Sequence, residues 1–333
     1  MQMETKIGAV AIGRNEGERL RRCLTSLLGE RASIPVVYVD SNSTDGSAEM
    51  ARGLGVEVVD LDVSQKFTAA RARNAGWKRL LQLHPEVEMV QFVDGDCEVE
   101  NGWVEAALGT FRNERNLAVV CGRRRERFPE YSIYNKLCDL EWDTPLGETG
   151  ACGGDALIAS EALLRVDGYR EDLIAGEEPE MCYRMRQLGY RVVRIDHPMT
   201  VHDANISKPS QWFQRTKRTG HAFAEWVALH GGESERMGVR QTLSNVFWGV
   251  AVPGALGAAA LSVGPVVATV GGAAAYTYLF NKSYRYERKR RSHKEAQLVA
   301  AGCVAAKIPE ALGTIKFVTN KLLGKQSRLM EYK

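Results

Sequence analysis

The chain has 333 residues, 44% hydrophobic and 26% charged, which is the make-up of a globular protein with an ample core and excludes a disordered or fibrous one. A net charge of +3 is too small to indicate nucleic acid as the partner. Seven cysteines, an odd number with no Cys-x-x-Cys pair, suggest neither a disulfide framework nor a zinc site and fit a reducing compartment.

The amino terminus runs into an apolar segment without the basic-then-apolar-then-small pattern of a cleaved signal, so the body is expected in the cytoplasm. Ile7 to Ile12 reads as a strand, and Glu16 to Leu28 as a helix with Leu20, Cys23, Leu24, Leu27 and Leu28 at helical spacing. Pro35 to Val39 is the next strand. Turn residues from Ser41 to Gly46 then lead into a helix over Ser47 to Leu54. Val56 to Leu61 is a third strand, Ala69 to Leu83 a helix, and Met89 to Val93 a strand that stops at Asp94. Strands alternating with helices in this way predict an α/β domain built on a mostly parallel sheet. Further on, Leu157 to Ser160 and Arg191 to Ile195 read as strands, Ala162 to Val166 as a helical turn and Glu178 to Leu188 as a helix.

Composition shifts beyond Met237. Leu243 to Asn281 holds no charged residue, and Pro253, Gly254, Gly264 and Pro265 divide it into a predicted helical hairpin. Arg236 and Arg240 precede it, and Lys282, Arg285, Arg288, Lys289, Arg290, Arg291 and Lys294 follow it. Basic flanks on both sides predict that both ends face the cytoplasm against anionic headgroups. The expected organisation is a catalytic domain over 1–235, a membrane-associated hairpin over 236–295 and a helical tail over 296–333.

Asp94-Gly95-Asp96 puts two carboxylates at the carboxyl end of a strand, where α/β folds bind ligands, and hard oxygens there suit Mg²⁺ or Mn²⁺ bridging to a diphosphate. Asp40, also at a strand end, suits a nucleobase N–H or ribose hydroxyls. Arg71 and Asn74, at i and i+3 on one helix, share a face that suits a pyrophosphate.

In this order the motifs resemble family 2 glycosyltransferases, which have the GT-A fold, over roughly residues 5 to 230. Ile7 to Glu16, ending in Asn15-Glu16, is similar to the family's first strand and the start of its nucleotide pocket. Asp40-Ser41-Asn42-Ser43-Thr44-Asp45-Gly46 resembles its Asp-Asp-Gly-Ser-Thr-Asp-Gly element, with Ser41 and Asn42 departing from it. Asp94-Gly95-Asp96 resembles its Asp-x-Asp, which implies that Asp96 contacts the metal most directly, beside Asp94. Gly153-Gly154-Asp155 resembles its Gly-Gly-Asn segment between donor and acceptor. Glu177-Glu178 resembles its Glu-Asp motif, which makes Glu178 the implied catalytic base and Glu177 the second candidate.

The resemblance further implies His202 as a metal ligand. Gln214 to His221 partly matches the family's Gln-x-x-Arg-Trp but has no Trp after Arg218, so a processive polymerase is not indicated; Arg215, Arg218 and His221 suit diphosphate oxygens. The implied enzyme inverts the anomeric centre of a UDP- or GDP-linked sugar and passes it to a lipid-linked or polysaccharide acceptor at the cytoplasmic face of the plasma membrane. Two other readings compete: a nucleotidyltransferase of related fold, and a non-catalytic membrane-anchored module that binds sugar nucleotides or glycans.

Overall fold

A computed structural model of the chain describes residues 6–30 and 34–325. It divides into two compact units: the described residues up to Phe128 together with Trp142–Ala204, and Pro129–Glu141 together with the described residues from Asn205 onward.

The first unit begins with the predicted alternation of β1 (Ile7–Gly13), α1 (Glu18–Glu30), β2 (Val36–Asp40), α2 (Ser47–Gly53), β3 (Glu57–Asp60), α3 (Ala69–Leu83) and β4 (Met89–Asp94). These four strands pair in parallel in the order β3-β2-β1-β4. β1 and β2 are buried along nearly their whole length, as apolar runs covered on both faces should be. Register then fixes the site: Gly13 lies opposite Asp40 and Ile12 opposite Asp94, so both acids emerge at one sheet edge.

The chain continues through β5 (Cys97–Val99), α4 (Trp103–Asn113), β6 (Leu117–Glu126), α5 (Ile133–Trp142), β7 (Gly147–Glu148), β8 (Ala156–Ala159), α6 (Ser160–Arg165), α7 (Glu177–Gln187) and β9 (Arg191–His202). The sheet extends as β4-β8-β6-β9-β5, with β7 also on β9. β8 runs antiparallel to both β4 and β6, whereas β6 and β9 are parallel. β9 passes well beyond the predicted end at Ile195. It crosses Pro198, which has no N–H for the ladder, where pairing with β6 shifts register around Arg123. The extension carries His202 opposite Cys97 on β5.

The second unit is helical: α8 (Pro209–His230), α9 (Val239–Val246), a π-helical segment over Phe247–Ala251, α10 (Val252–Ser262), α11 (Pro265–Glu287) and α12 (His293–Leu322). The π-helical turn falls where Pro253 offers no N–H to the carbonyl of Gly249. A capping box between Ser292 and Glu295 starts α12.

Helix α8, expected with the catalytic domain, groups instead with the carboxyl-terminal helices. Two glycines explain its fit to α12. A Cβ on Gly220 would collide with the Glu310 backbone and one on Gly313 with the Lys217 carbonyl, so the helices touch backbone to backbone. Thr314 Oγ1 donates to the Gly220 carbonyl across the contact at 3.2 Å. Val239–Ser262 and His293–Leu322 are each long and apolar enough to cross a membrane, and the first is almost wholly exposed.

Candidate active site

The edge of the first unit where β1, β2 and β4 end carries Asn15, Glu16, Asp40, Asn42, Asp94 and Gly95 of the expected donor-side residues. Asp40 is buried and accepts from Tyr38 OH (2.9 Å) and from the Ser43 N–H (2.7 Å). Asn15 and Asn42 both take the left-handed conformation, which asparagine tolerates. The Asn15 N–H donates to Ser43 Oγ and its Oδ1 accepts from the Thr44 N–H, at 2.9 and 2.8 Å. Those bonds stitch the loop after β1 to the loop after β2. Glu16 pairs with Arg19 at 2.7 Å. Gly95 is required where it stands: its N–H donates to the Ile12 carbonyl at 2.8 Å, and a Cβ would lie 3.0 Å from that oxygen.

The centre is a charge network. Arg73, 3% exposed, reaches three carboxylates: Asp94 Oδ1 (2.8 Å), Glu177 Oε1 (2.8 Å) and Glu178 Oε1 (3.0 Å). Arg124 of β6 donates Nη2 to Asp94 Oδ2 and Nε to Asp155 Oδ2, both at 2.8 Å. Trp142 lies over the Arg124 guanidinium at 5.4 Å. Burial opposes ionisation of Asp94, but Arg73 and Arg124 outweigh it and hold the carboxyl well below the usual range. Glu178 behaves oppositely. Burial, then the neighbouring Glu177, pushes its pKa up to about 7 against the pull of Arg73.

Asp96 and His202 form the second cluster. Pairing of β5 with β9 sets His202 Nε2 3.3 Å from Asp96 Oδ1, and Glu126 Oε2 lies 3.6 Å from His202 Nδ1. Trp142 packs edge-on against the imidazole at 4.7 Å. Burial keeps the His202 pKa below its ordinary value, so the ring is neutral at pH 7. Nδ1 faces Glu126 at a distance longer than a hydrogen bond; a proton on that nitrogen would leave the Nε2 lone pair on the Asp96 side, the arrangement that suits a divalent cation. Charge agrees. Asp94, Asp96, Glu126, Asp155, Glu177 and Glu178 put six carboxylates against two guanidiniums in this region. The residues therefore fit Mg²⁺ or Mn²⁺ at Asp96 and His202. Asp94, also expected as a ligand, has each oxygen bonded to an arginine.

Several expected donor contacts are structural supports. Arg71 donates to the carbonyls of Asp62 (2.8 Å), Gln65 and Lys66 (3.2 Å each), so its guanidinium pins the loop before α3. Asn74 is buried, donating to the Tyr169 carbonyl and Glu171 Oε1 and accepting from the Tyr169 N–H. Asp155 is fully buried beneath Asp94, accepting from the Asp94 N–H (3.0 Å), Arg124 and Thr200 Oγ1 (2.6 Å). Gly154 lets this segment close on the network, since a Cβ would lie 2.5 Å from Asp94 Oδ2. Arg215, Arg218 and His221 sit on α8 of the second unit. There Arg215 pairs with Glu141 at 2.8 Å, and His221 is buried against Glu225 and Phe317.

Arg73, Arg124 and Glu126 escaped the sequence reading. Arg73 had one usable signal: Ala70, Ala72, Gly76 and Trp77 mark the buried side of α3, and an arginine among them needs carboxylate partners. Arg124 and Glu126 lie in Arg123-Arg124-Arg125-Glu126, whose pattern does not say which side chain turns inward.

Residues 10–151 match the family described as glycosyl transferase family 2. A pre-mycofactocin glycosyltransferase of Mycobacterium tuberculosis is 24% identical over 228 residues, 65% of this chain and 46% of that protein. The succinoglycan biosynthesis protein ExoA of Rhizobium meliloti is 30% identical over 206 residues, 56% of this chain and 57% of that protein. The chain thus spans about half the length of these curated relatives. Among solved structures, the mannosyltransferase PcManGT from Pyrobaculum calidifontis, in complex with GDP-Man and Mn²⁺, superposes with a TM-score of 0.58 at 17% identity. That match covers 96% of this chain and 89% of PcManGT, a likeness of fold that agrees with the GT-A expectation.

Proposed function

We propose that the chain, whose residues 10–151 match glycosyl transferase family 2, transfers one sugar from a nucleotide-sugar donor to a hydroxyl of a lipid-linked or polysaccharide acceptor, with inversion. The observation that carries the reading is the Arg73 bridge, which ties the donor-side Asp94 to the pair Glu177-Glu178. One guanidinium holds both halves of a transfer site in register.

Roles follow from protonation. Asp94, fixed as a carboxylate, accepts hydrogen bonds from donor hydroxyls. Glu178, raised to about 7, exchanges protons near neutral pH and takes the acceptor hydroxyl's proton as that oxygen attacks the anomeric carbon. Glu177 is spent on Arg73 and serves as the base's neighbour. Asp40, Asn15 and Asn42 line the nucleoside end, with Glu16 and Gly95 between it and the acids. Asp96 and His202 would hold Mg²⁺ or Mn²⁺, with Glu126 orienting the imidazole. The ion supplies positive charge against the departing nucleoside diphosphate. PcManGT, similar in fold, was solved with a nucleotide sugar and Mn²⁺, which is consistent with a nucleotide-sugar donor and a divalent ion.

In this proposal catalysis resides in the first unit and the second brings the enzyme to the cytoplasmic face of the plasma membrane. The basic residues around the apolar hairpin support that side. The test is calorimetric binding of UDP-, GDP- and TDP-sugars to the purified chain, with Mg²⁺, Mn²⁺ or chelator. One class should bind only with the ion. Binding of none, or equal binding in chelator, contradicts the assignment.

A further inference from the structure

The apolar hairpin carries more information than its composition. From Ala251 to Ala275 there is neither a charged nor an aromatic residue. Leu261 is 93% exposed, Val266 75% and Val270 64%, so the described residues of the second unit leave the tip without protein cover. Only two side chains in this stretch are polar. Both are satisfied internally: Ser262 Oγ donates to the Ala258 carbonyl (2.9 Å) and Thr269 Oγ1 to the Pro265 carbonyl (2.8 Å). The two helices close through small residues, with Leu256 against Gly271 and Gly272; a Cβ on Gly272 would stand 3.1 Å from Leu256 Cδ1. Such a finger is built for a solvent that offers no hydrogen bonds.

Every aromatic side chain of the hairpin lies at its base. Trp248 stands 6.0 Å from Tyr276 and 6.4 Å from Tyr278, and Tyr276 OH donates to the Trp248 carbonyl at 2.8 Å. Phe247 and Phe280 belong to the same end of the two helices. Just beyond this girdle come the exposed Lys282 and Arg285 on α11 and Arg288 and Lys289 in the turn after it. A helix pair that spanned the bilayer would carry aromatic belts at both interfaces, and this one has a single belt.

Length gives the depth. At 1.5 Å per residue, Trp248 to Ser262 rises about 20 Å and Pro265 to Tyr276 about 17 Å. The hydrocarbon core is about 30 Å thick. From these distances we infer that the hairpin is a re-entrant finger: it enters an anionic bilayer from the side of the basic cluster, passes the midplane and ends inside hydrocarbon. The aromatic girdle sits at the headgroup level of the entry leaflet. This rests on the membrane-associated reading and adds its depth and sidedness.

The test uses the full chain carrying Cys303→Ser, the other six cysteines being buried. A bimane label is placed at Val263→Cys in the tip or at Val250→Cys near the girdle, in vesicles of phosphatidylcholine and phosphatidylglycerol. Bromines near the acyl-chain ends should quench the tip label more than bromines near the glycerol, and the girdle label should show the reverse order. An impermeant maleimide should leave the unlabelled tip cysteine unmodified from either side. Modification by reagent trapped inside the vesicles would show a span, and equally shallow quenching of both labels would show a hairpin lying flat; either overturns the inference and leaves membrane association standing. Failure to sediment with the vesicles overturns both, whereas donor binding by the same protein reports separately on the transferase reading.

Discussion

Replacing Arg73 by Gln is the most informative single perturbation. The guanidinium is 3% exposed and lies within 3.0 Å of Asp94, Glu177 and Glu178, so its loss leaves buried carboxylates without their main counter-charge. Breaking one buried pair in this way costs about 3–5 kcal/mol. Asp94 keeps Arg124, which limits the loss on that side; among the described residues Glu177 and Glu178 make no other ion pair. The deficit must also depend on pH. Glu178 already titrates at about 7 in the folded chain, above the unfolded value of about 4.3, and losing Arg73 raises it further. A carboxyl whose folded pKa is raised contributes stability that is present at low pH and lost as pH rises through the folded value. The variant should therefore lose least in mild acid and most above neutrality. Urea unfolding of variant and parent across that range measures it. A deficit under about 1 kcal/mol, the scale of an exposed pair, or one that does not grow with pH, would refute the network as described.

Three other outcomes follow from the same geometry. Turnover should fall about tenfold per pH unit on the acid side of a limb near pH 7, as Glu178 takes up its proton, and Glu178→Gln should lower turnover by about 10²–10⁴-fold; a rate flat across that limb would remove Glu178 as the base. Glu126→Gln should weaken divalent-ion affinity about 10–100-fold by freeing the His202 ring, read as free Mn²⁺ by electron paramagnetic resonance, with unchanged affinity excluding that orienting role. Gly154→Ala drives a methyl to 2.5 Å from Asp94 Oδ2 and should cost about 1–3 kcal/mol by overpacking together with donor binding; a thermal melt and a donor titration that both match the parent would show that the segment has room.

The amino-terminal half of the fold was legible because its strands are unbroken apolar runs and its helices carry clear periodicity. Ala69 to Leu83 was read with both ends in place, its start marked by Thr68, whose side chain accepts from the Arg71 N–H. The far side of the sheet was harder. β9 runs through Asp196-His197-Pro198, a sequence that reads as a turn, and only pairing with β5 and β6 keeps it extended. Helix α8 gave no sign of its allegiance, since the contact that decides it is made by Gly220 and Gly313, far apart in the chain.

Acids at strand ends and helix starts were legible one by one: Asp40, Asp94, Asp96 and Glu178 each stand at such a junction. Their counter-charges were not. Arg71 and Asn74 share a helix face as predicted, but that face binds a loop and Tyr169, while Arg73 between them turns into the carboxylates. Which arginine of a run points inward is decided by the packing of α3 and by the register of β6, and neither is written locally. His202 depended in the same way on a strand whose predicted end lies seven residues earlier.

Nucleoside diphosphate release, measured with the donor class that binds and with membranes supplying acceptor, tests the central claim most directly in parent, Asp96→Ala and Glu178→Gln. Release by the parent, loss of ion-dependent donor binding in Asp96→Ala, and intact donor binding without release in Glu178→Gln is the predicted result. Equal loss of donor binding in both variants, or release that survives in Glu178→Gln, would contradict a site divided between a metal-and-donor half and an acceptor-activating base.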